Sequence, residues 1–420
     1  MVKTHGKSGG AKVNVRYINS LAGIRFLVTK ALIVSLRFLA IHSTSVAFSV
    51  YRRFSKRIWF FNLDCHISVI ADLKVGLSDF SNVGMVSWII SDHNFVFRRL
   101  FKYADPVLHV SADTWTDLST ERKARFLKTY RTFLRCFDGF IVTYPPAFME
   151  LFEEFNRPIL AVVATRYEHP FSSDSERWFE LTETMLRLKN LGQLTLVTNN
   201  AGDSKYMEEF TGEAVPVVHS VCDYIPYGPE GGGVHFPIFA KSRKLTKHIS
   251  DGLGAPWQDR RRALGANYGW ERLVKCQAVI YIPYNNSTMS LFEFAFLGIP
   301  VLVPDPQFMR VLNSEFEGVL SEVLFPQKNY PGRTDAPSAL ADTRPHDLDW
   351  WLAKADFYDP ELMPNVLQFS SFDDPVFSTD FKNFRLGIES LVESRNEKLI
   401  AARKKLLSEF IEVVGKAQGS

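Results

Sequence analysis

The sequence has few cysteines and lacks the common metal and nucleotide signatures. Only four of the 420 residues are cysteines (Cys65, Cys136, Cys222 and Cys276), and they form no Cys-x-x-Cys pair and no cluster with histidine. This spacing argues against a disulfide framework and against structural zinc. The motifs Gly-x-Ser-x-Gly, P-loop, His-Glu-x-x-His and Gly-x-Gly-x-x-Gly are also missing, so hydrolase, P-loop and dinucleotide-binding functions lose support.

Acidic residues are missing from the first part of the chain. Residues 1–57 hold eleven Lys or Arg, and the first acidic residue is Asp64. The other 363 residues hold 38 Lys and Arg against 46 Asp and Glu, a net charge of about −8. The basic N-terminal segment is therefore a separate functional piece, and the body has no excess of positive charge with which to bind nucleic acid.

A long uncharged hydrophobic run is lacking as well. Residues 18–51 are mostly apolar, but Arg37 and His42 lie near the middle of the best spanning window, 31–51. Charges at that depth are costly in hydrocarbon. We predict that residues 18–57 contain a basic amphipathic helix at a membrane surface, with a spanning anchor or a helix packed on the protein body as alternatives. The expected location is the cytoplasmic face of a membrane or a Golgi-type endomembrane.

The body alternates short apolar runs with helical patterns. Strongly apolar strands that alternate with helices are typical of parallel sheets covered on both faces. The glycine-rich stretch 227–233 interrupts this alternation and reads as a linker. The sequence thus predicts two α/β domains, and the strands expected before and after the linker are 58–64, 83–90, 106–112, 138–143, 158–165, 194–199 and 215–221, then 234–240, 276–284 and 299–305.

These patterns divide the chain into five parts. The N-terminal domain covers 58–226, and the C-terminal domain covers 234–375. They are flanked by the basic segment 1–57 and the helical segment 376–420, and joined by the linker 227–233. The last segment carries an apolar stripe at helical spacing, which predicts a long surface helix.

Residues 281–305 form the most informative motif. A strand ends at Tyr284, the polar turn Asn285-Asn286-Ser287-Thr288 follows, and a helix is expected to begin near Met289 and end at Gly298. A helix N-terminus after a parallel strand is a ready anion site, because its free N–H groups and the nearby hydroxyls can bind phosphate. Glu293 lies further along this helix, where its carboxylate can accept hydrogen bonds from both hydroxyls of a ribose.

The run Phe-Glu-Phe-Ala-Phe-Leu-Gly-Ile-Pro-Val (292–301) resembles the donor-site signature of GT-B glycosyltransferases, Glu-Ala-x-x-x-Gly-x-Pro-Val. The resemblance implies two Rossmann-like domains, with the acceptor bound by 58–226 and the nucleotide-sugar donor by 234–375. It also implies that Glu293 binds the donor ribose. Many retaining members carry another glutamate eight residues earlier, where this chain has Asn285, so an inverting mechanism stays open. The segment Ser-x-Met-Ser-Leu-Phe-Glu also resembles exostosin-like and xylosyltransferase-type enzymes of large algal viruses.

Further candidates lie just beyond the predicted strands, where doubly wound domains bind their ligands. Asp64 and His66 follow the first strand, and an imidazole oriented by a carboxylate suits the deprotonation of an acceptor hydroxyl. A strand-end pair that caps the next helix is the alternative. Glu168 follows a later strand and is a rival base or an acceptor ligand.

Two cations open the second domain. Lys241 and Arg243 follow strand 234–240 and could neutralise a donor diphosphate, although a solvated basic turn would look the same. Asp347-Leu-Asp349 spells the Asp-x-Asp metal motif of another glycosyltransferase fold, but it lies in a polar stretch and reads as a helix start. No metal and no cofactor is expected.

The sequence predicts a glycosyltransferase that moves a hexosyl or pentosyl group from a nucleotide sugar to a hydroxyl of a glycan or glycoconjugate. Asn285, Asn286, Ser287, Thr288 and Glu293 would bind the donor together with the two cations, and His66, Asp64 or Glu168 would act as the base. One alternative is a nucleotide-sugar epimerase on the same fold, which would not need an acceptor. Another is a membrane-associated carbohydrate-binding or scaffold protein without catalytic activity.

Overall fold

The computed structural model describes residues 46–48, 50–52, 55–90, 109–111, 114–228, 233–325 and 346–419. Two compact units are distinguished, 1–56 and 57–420. In the first unit the described residues 46–48 and 50–52 are helical, and most of the predicted amphipathic segment 18–57 lies outside the described residues. Among the described residues, no helix combines the length and apolar character needed to cross a membrane.

The first half of the second unit is a five-stranded parallel sheet with the order β2-β1-β3-β4-β5. Its central strands β3 and β4 are fully buried, as strands covered on both faces are, whereas the edge strand β2 is partly exposed. Two short 3-10 helices, Pro146–Leu151 and Glu153–Phe155, follow β3. The strands are β1 Ile58–Asp64, β2 Val83–Ile89, β3 Gly139–Val142, β4 Ile159–Val163 and β5 Leu194–Thr198, and the helices are α1 Ile67–Ser78, α2 Thr120–Leu134, α3 Ser175–Asn190 and α4 Ala201–Thr211.

The second half repeats the same arrangement, with the order β10-β9-β8-β6-β7 and parallel pairing throughout. The predicted fold of two parallel α/β sheets is therefore confirmed. Its strands are β6 Pro237–Phe239, β7 Gln258–Asp259, β8 Val279–Tyr281, β9 Val301–Pro304 and β10 Val366–Phe369. Its helices are α5 Arg243–Leu253, α6 Arg260–Leu264, α7 Trp270–Leu273, α8 Met289–Phe296, α9 Pro306–Glu315 and α10 Leu348–Leu352.

The chain ends in two helices, α11 Phe381–Gly387 and α12 Glu389–Gly419. The long helix α12 contacts α8 and α11 of the second half and also α1 and β1 of the first half. Phe410 stacks on Phe60 of β1, with ring centroids 5.3 Å apart. The C-terminal helix therefore connects the two sheets, which its amphipathic pattern did not indicate.

Three strands do not match between prediction and structure, and one further prediction is not tested. The two-residue strand β7 was not predicted, because Gln258 and Asp259 form no apolar run. Most of 106–112 lies outside the described residues. Segment 215–221 pairs with β5 only through one bridge, Thr198 to Val217, because Pro216 has no N–H group to donate to a ladder. The strand β10 was not predicted, since its burial is partial and its sequence lacks a strongly apolar run.

Candidate functional site

In each sheet the second strand pairs on one side of the first strand, and the third strand pairs on its other side. The strand order therefore reverses between β1 and β3 and between β6 and β8, and these positions are the switch points of the two sheets. Ligands of doubly wound sheets bind beyond the carboxyl ends of the strands at such points. His66 and Tyr144 follow the switch-point strands of the first sheet, and Lys241 and Tyr284 follow those of the second. The two edges therefore supply the candidate site.

A cavity of about 300 Å³, which we call the cleft cavity, is lined by residues from both halves. This volume is within the range of small-molecule sites. The first half contributes His66, Ser68, Val69, Tyr144, Ala164, Thr165 and Asn199, and the second contributes Tyr284, Asn285, Ser287, Thr288, Met289, Ser290, Glu293 and Glu322. Five of the predicted site residues thus line one cavity, and Tyr144, Thr165, Tyr284 and Glu322 are additions that the sequence did not indicate.

The turn before α8 presents a helix N-terminus to the cleft cavity. Thr288 is the N-cap residue, but its side chain makes no capping hydrogen bond and instead contacts the Tyr281 hydroxyl, with 2.8 Å between the oxygens. The first-turn N–H groups of α8 are therefore not satisfied by the N-cap side chain, which leaves them suited to an anion. The helix ends at Phe296 with Leu297 as its C-cap, and Gly298 follows with a φ of 61°, which fits the glycine cap that the sequence predicts there.

Glu293 lies at the wall of the cleft cavity and is half-buried. Burial raises the pKa of Glu293 to about 7, while a hydrogen bond from Tyr224, 2.7 Å from hydroxyl to Oε1, opposes the rise. The carboxylate is thus held in place by one phenol and lies beside the helix N-terminus. The sequence indicated Tyr224 only as one of several polar residues after segment 215–221 and assigned it no role, because it lies in an irregular segment with no pattern of its own.

His66 is exposed and lies at the end of β1, on the first-half wall of the cleft cavity. The Ser68 hydroxyl is 3.1 Å from its Nδ1, and its ring packs edge-on against Tyr144 with centroids 5.8 Å apart. These two contacts orient the imidazole. The position fits a group that exchanges a proton with a ligand in the cavity.

The structure corrects the predicted role of Asp64. Its carboxylate is fully buried and accepts hydrogen bonds from the backbone N–H groups of Thr143, Tyr144 and His66 and from the Thr143 hydroxyl, at 2.6 to 3.2 Å. Asp64 bonds the backbone of His66 and is not among the residues that line the cleft cavity. Burial, the largest effect, raises the pKa of Asp64 to about 7. Its contacts join the ends of β1 and β3, so it is a structural residue.

The predicted role of Glu168 is corrected in the same way. Both Glu168 and Arg166 are buried, and their ion pair measures 3.0 Å from Nε to Oε1. Ser172 donates a further hydrogen bond to this carboxylate at 3.3 Å. Burial raises the pKa of Glu168 in spite of these contacts. Because it does not line the cleft cavity, Glu168 is not placed to contact an acceptor.

A second cavity of about 350 Å³ lies between the ends of β6 and β8, and we call it the switch-point cavity. It shares Tyr284 and Ser290 with the cleft cavity, so the two adjoin. Lys241 lines it and forms an ion pair with Glu322, with its Nζ 5.3 Å from the centre of the Tyr284 ring. Arg243 lines neither cavity, which corrects its predicted place beside Ser287 and Thr288.

The predicted role of Asn286 as a donor ligand is also corrected. It is fully buried, and its Nδ2 donates to Asn200 Oδ1 at the start of α4, at 3.1 Å. Asp356 completes this contact between the halves, because it accepts from the Ala201 N–H at 3.2 Å and from the Ser287 hydroxyl. Burial raises the pKa of Asp356 to about 8. Asn286 therefore fixes the turn 285–288 to the first half and does not line the cavity.

The comparisons with known proteins give no family assignment. No family model matches the chain, and no curated protein matches it in sequence. Among solved structures the chain is similar to the glycosyltransferase SnogD from Streptomyces nogalater, with 13% identity, 84% of this chain and 99% of that chain covered, and a TM-score of 0.41. The calicheamicin glycosyltransferase CalG4 is 11% identical, with 86% of this chain and 99% of that chain covered and a TM-score of 0.36. A UDP-N-acetylglucosamine 2-epimerase is also 11% identical, with 70% of this chain and 94% of that chain covered and a TM-score of 0.36. Similarities this low carry no conclusion about activity.

Proposed function

We propose that the protein is a glycosyltransferase that transfers a hexosyl or pentosyl group from a nucleotide sugar to a hydroxyl of a glycan or glycoconjugate. The observation that carries the proposal is the cleft cavity. It brings His66 of the first half together with Glu293 and the start of α8 of the second half. The imidazole can act as a base, the carboxylate can bind ribose hydroxyls, and the helix N-terminus can bind a diphosphate. Together these groups suit sugar transfer from a nucleoside diphosphate sugar.

The second half would hold the donor. The N-terminus of α8 and the hydroxyls of Ser287 and Thr288 would bind the diphosphate, and Glu293 would accept hydrogen bonds from the ribose hydroxyls. Lys241, which lines the switch-point cavity and is paired with Glu322, would contribute its cation at this boundary. As the sugar leaves, negative charge grows on the diphosphate, and this fixed cation and the helix dipole stabilise it. We therefore expect transfer to proceed without added metal.

The first half would activate the acceptor. His66 would take the proton from the acceptor hydroxyl while the hydroxyl oxygen forms its bond to the anomeric carbon and the diphosphate departs. The contact of Ser68 with Nδ1 holds the ring for this step. We also propose that the basic segment 18–57 brings the enzyme to a membrane surface, because it holds seven Lys and Arg and no acidic residue.

Donor binding is tested by the thermal stability of the protein with UDP, GDP and CMP and their common sugar conjugates. We expect one nucleotide to raise the melting temperature, and Glu293→Gln to weaken its affinity about tenfold or more through loss of the charged acceptor. Glu361→Gln, an exposed glutamate, is the matched control. Absence of a shift with every nucleotide on folded protein would refute the proposal.

Catalysis is tested with the nucleotide sugar so identified, in the presence of EDTA. We expect His66→Ala to lower the transfer rate about 100-fold or more while leaving donor affinity within twofold, because a general base contributes to the chemical step alone. An epimerase would convert the donor without any acceptor. A binding protein would show no turnover, and its sugar affinity would not change in His66→Ala.

A further inference from the structure

A third cavity, of about 500 Å³, carries an excess of positive charge, and we call it the arginine cavity. It lies beside α5 and the junction of β7 with α6, at the same edge of the second sheet as the other two cavities. Its charged lining consists of six cations, Lys241, Arg243, Lys247, Arg260, Arg261 and Arg262, and two acids, Asp251 and Asp259. The local charge of about +4 contrasts with the net −8 of residues 58–420.

The two acids do not neutralise the arginines. Asp251 pairs with Lys247 at 2.5 Å, and Asp259 caps α6 by accepting from the backbone N–H of Arg261 at 2.8 Å. Within the described part of the chain, the guanidinium groups of Arg243, Arg261 and Arg262 have no carboxylate partner. All three are exposed to the cavity side of the protein surface. Three unpaired guanidinium groups around one concavity form a strong field for oxyanions.

The arginine cavity continues from the proposed donor site. Lys241 and Arg260 line both the arginine cavity and the switch-point cavity, and the latter shares Tyr284 and Ser290 with the cleft cavity. The three cavities therefore follow one another along the sheet edge. A volume of about 500 Å³ is more than a single phosphate needs and is sufficient for a charged sugar unit.

We infer that the arginine cavity binds the oxyanion groups of a second ligand, distinct from the donor diphosphate. Its chemistry fits an acceptor that carries phosphate, sulfate or carboxylate groups, which guanidinium forks bind in bidentate pairs. This inference rests on the proposed function for the identity of the first ligand. It also gives Arg243 a different ligand from the diphosphate that the sequence suggested.

The test measures binding of inorganic tripolyphosphate to the full chain by calorimetry. We expect Arg261→Ser/Arg262→Ser to weaken tripolyphosphate about tenfold or more, because two charge-assisted contacts are lost. The affinity for the nucleoside diphosphate selected by thermal shift should stay within twofold. Lys404→Ser/Lys405→Ser, which removes two exposed neighbouring cations of α12, is the control and should change neither.

Saturating nucleoside diphosphate distinguishes a second ligand from a longer donor. We expect tripolyphosphate still to bind, giving a ternary complex; mutual exclusion would overturn the inference and assign the arginines to the donor. Equal binding by Arg261→Ser/Arg262→Ser and wild type would overturn it as well. If no nucleotide binds but tripolyphosphate binding still depends on Arg261 and Arg262, the proposed function fails while the anion site stands. Displacement of tripolyphosphate by a sulfated disaccharide or by a uronic acid disaccharide then identifies the source of the oxyanion.

Discussion

At the scale of single residues, the site depends on how strongly burial changes the charge of its carboxyl groups. Glu293 and Asp64 have their pKa raised to about 7 by burial, but only Glu293 lines the cleft cavity. Asp64 accepts backbone hydrogen bonds, which a carboxylate or a carboxylic acid oxygen can do in the interior. Two residues at the same strand end therefore have different roles: Asp64 stabilises the fold, and His66 lines the cavity.

The pH dependence of donor binding follows from Glu293. Its ordinary pKa of 4.5 is raised to about 7, so folding favours the protonated form, and its contribution to stability is present below about pH 4.5 and lost as the pH rises to 7. The ionised form offers two charged acceptor oxygens, which bind ribose hydroxyls more strongly than the neutral acceptor oxygen of the acid. We expect nucleotide affinity to fall about tenfold from pH 8 to pH 6. Calorimetry at both pH values checks this, and a fall of equal size in Glu293→Gln would contradict it.

At the scale of elements, the turn 285–288 is held by its contact with the start of α4. Asn286 bonds Asn200, and Asp356 bonds both Ser287 and the backbone of Ala201. Gly202 allows this approach, because a Cβ atom at its position would lie 1.9 Å from Asn286 Nδ2. The donor turn is therefore positioned by a helix of the other half.

Gly202→Ala tests this positioning. Helix propensity alone would favour alanine by about 1 kcal/mol. We expect instead a destabilisation of about 1–3 kcal/mol, since the methyl group displaces the buried Asn286 side chain, together with weaker nucleotide binding. Chemical unfolding and the thermal-shift assay measure the two effects. Gly387→Ala, whose Cβ would have no atom within 4 Å, is the control, and equal behaviour of the two variants would show that the contact does not position the turn.

At the scale of the whole molecule, α12 packs on the second half and is joined to the first half by an ion-pair network. Arg403 is 2% exposed and contacts Asp72 Oδ1 of α1 at 3.1 Å and Asp223 Oδ2 at 2.6 Å. Asp72 also accepts from the N–H groups of Val221 and Cys222. The network thus connects the C-terminal helix, the first helix and the segment that leads toward the linker.

Removing Arg403 leaves two carboxylates without their cation. We expect Arg403→Met to lower the free energy of unfolding by about 3–5 kcal/mol at pH 8. Burial already raises the pKa of Asp72 to about 6, so this carboxyl is neutral in acid and the loss should be smaller at pH 5. Urea unfolding at both pH values provides the measurement. Arg135→Met, at an exposed arginine, should change little, and a loss independent of pH would contradict the ion-pair explanation.

The sequence by itself determined the two α/β halves, because strands buried on both faces read as apolar runs and Gly298 ends α8 in a conformation that favours glycine. It also placed His66 and Glu293 at strand and helix positions that line the cleft cavity. Only the tertiary structure decided which polar residues reach that cavity. Asp64, Glu168 and Asn286 carry the same local signal, but Asp64 and Asn286 bond partners far away in the chain, and Glu168 is buried with its neighbour Arg166. No local pattern records these contacts or this burial. For the same reason Tyr224, Asp356 and the arginine cavity emerge only when separate segments are packed together.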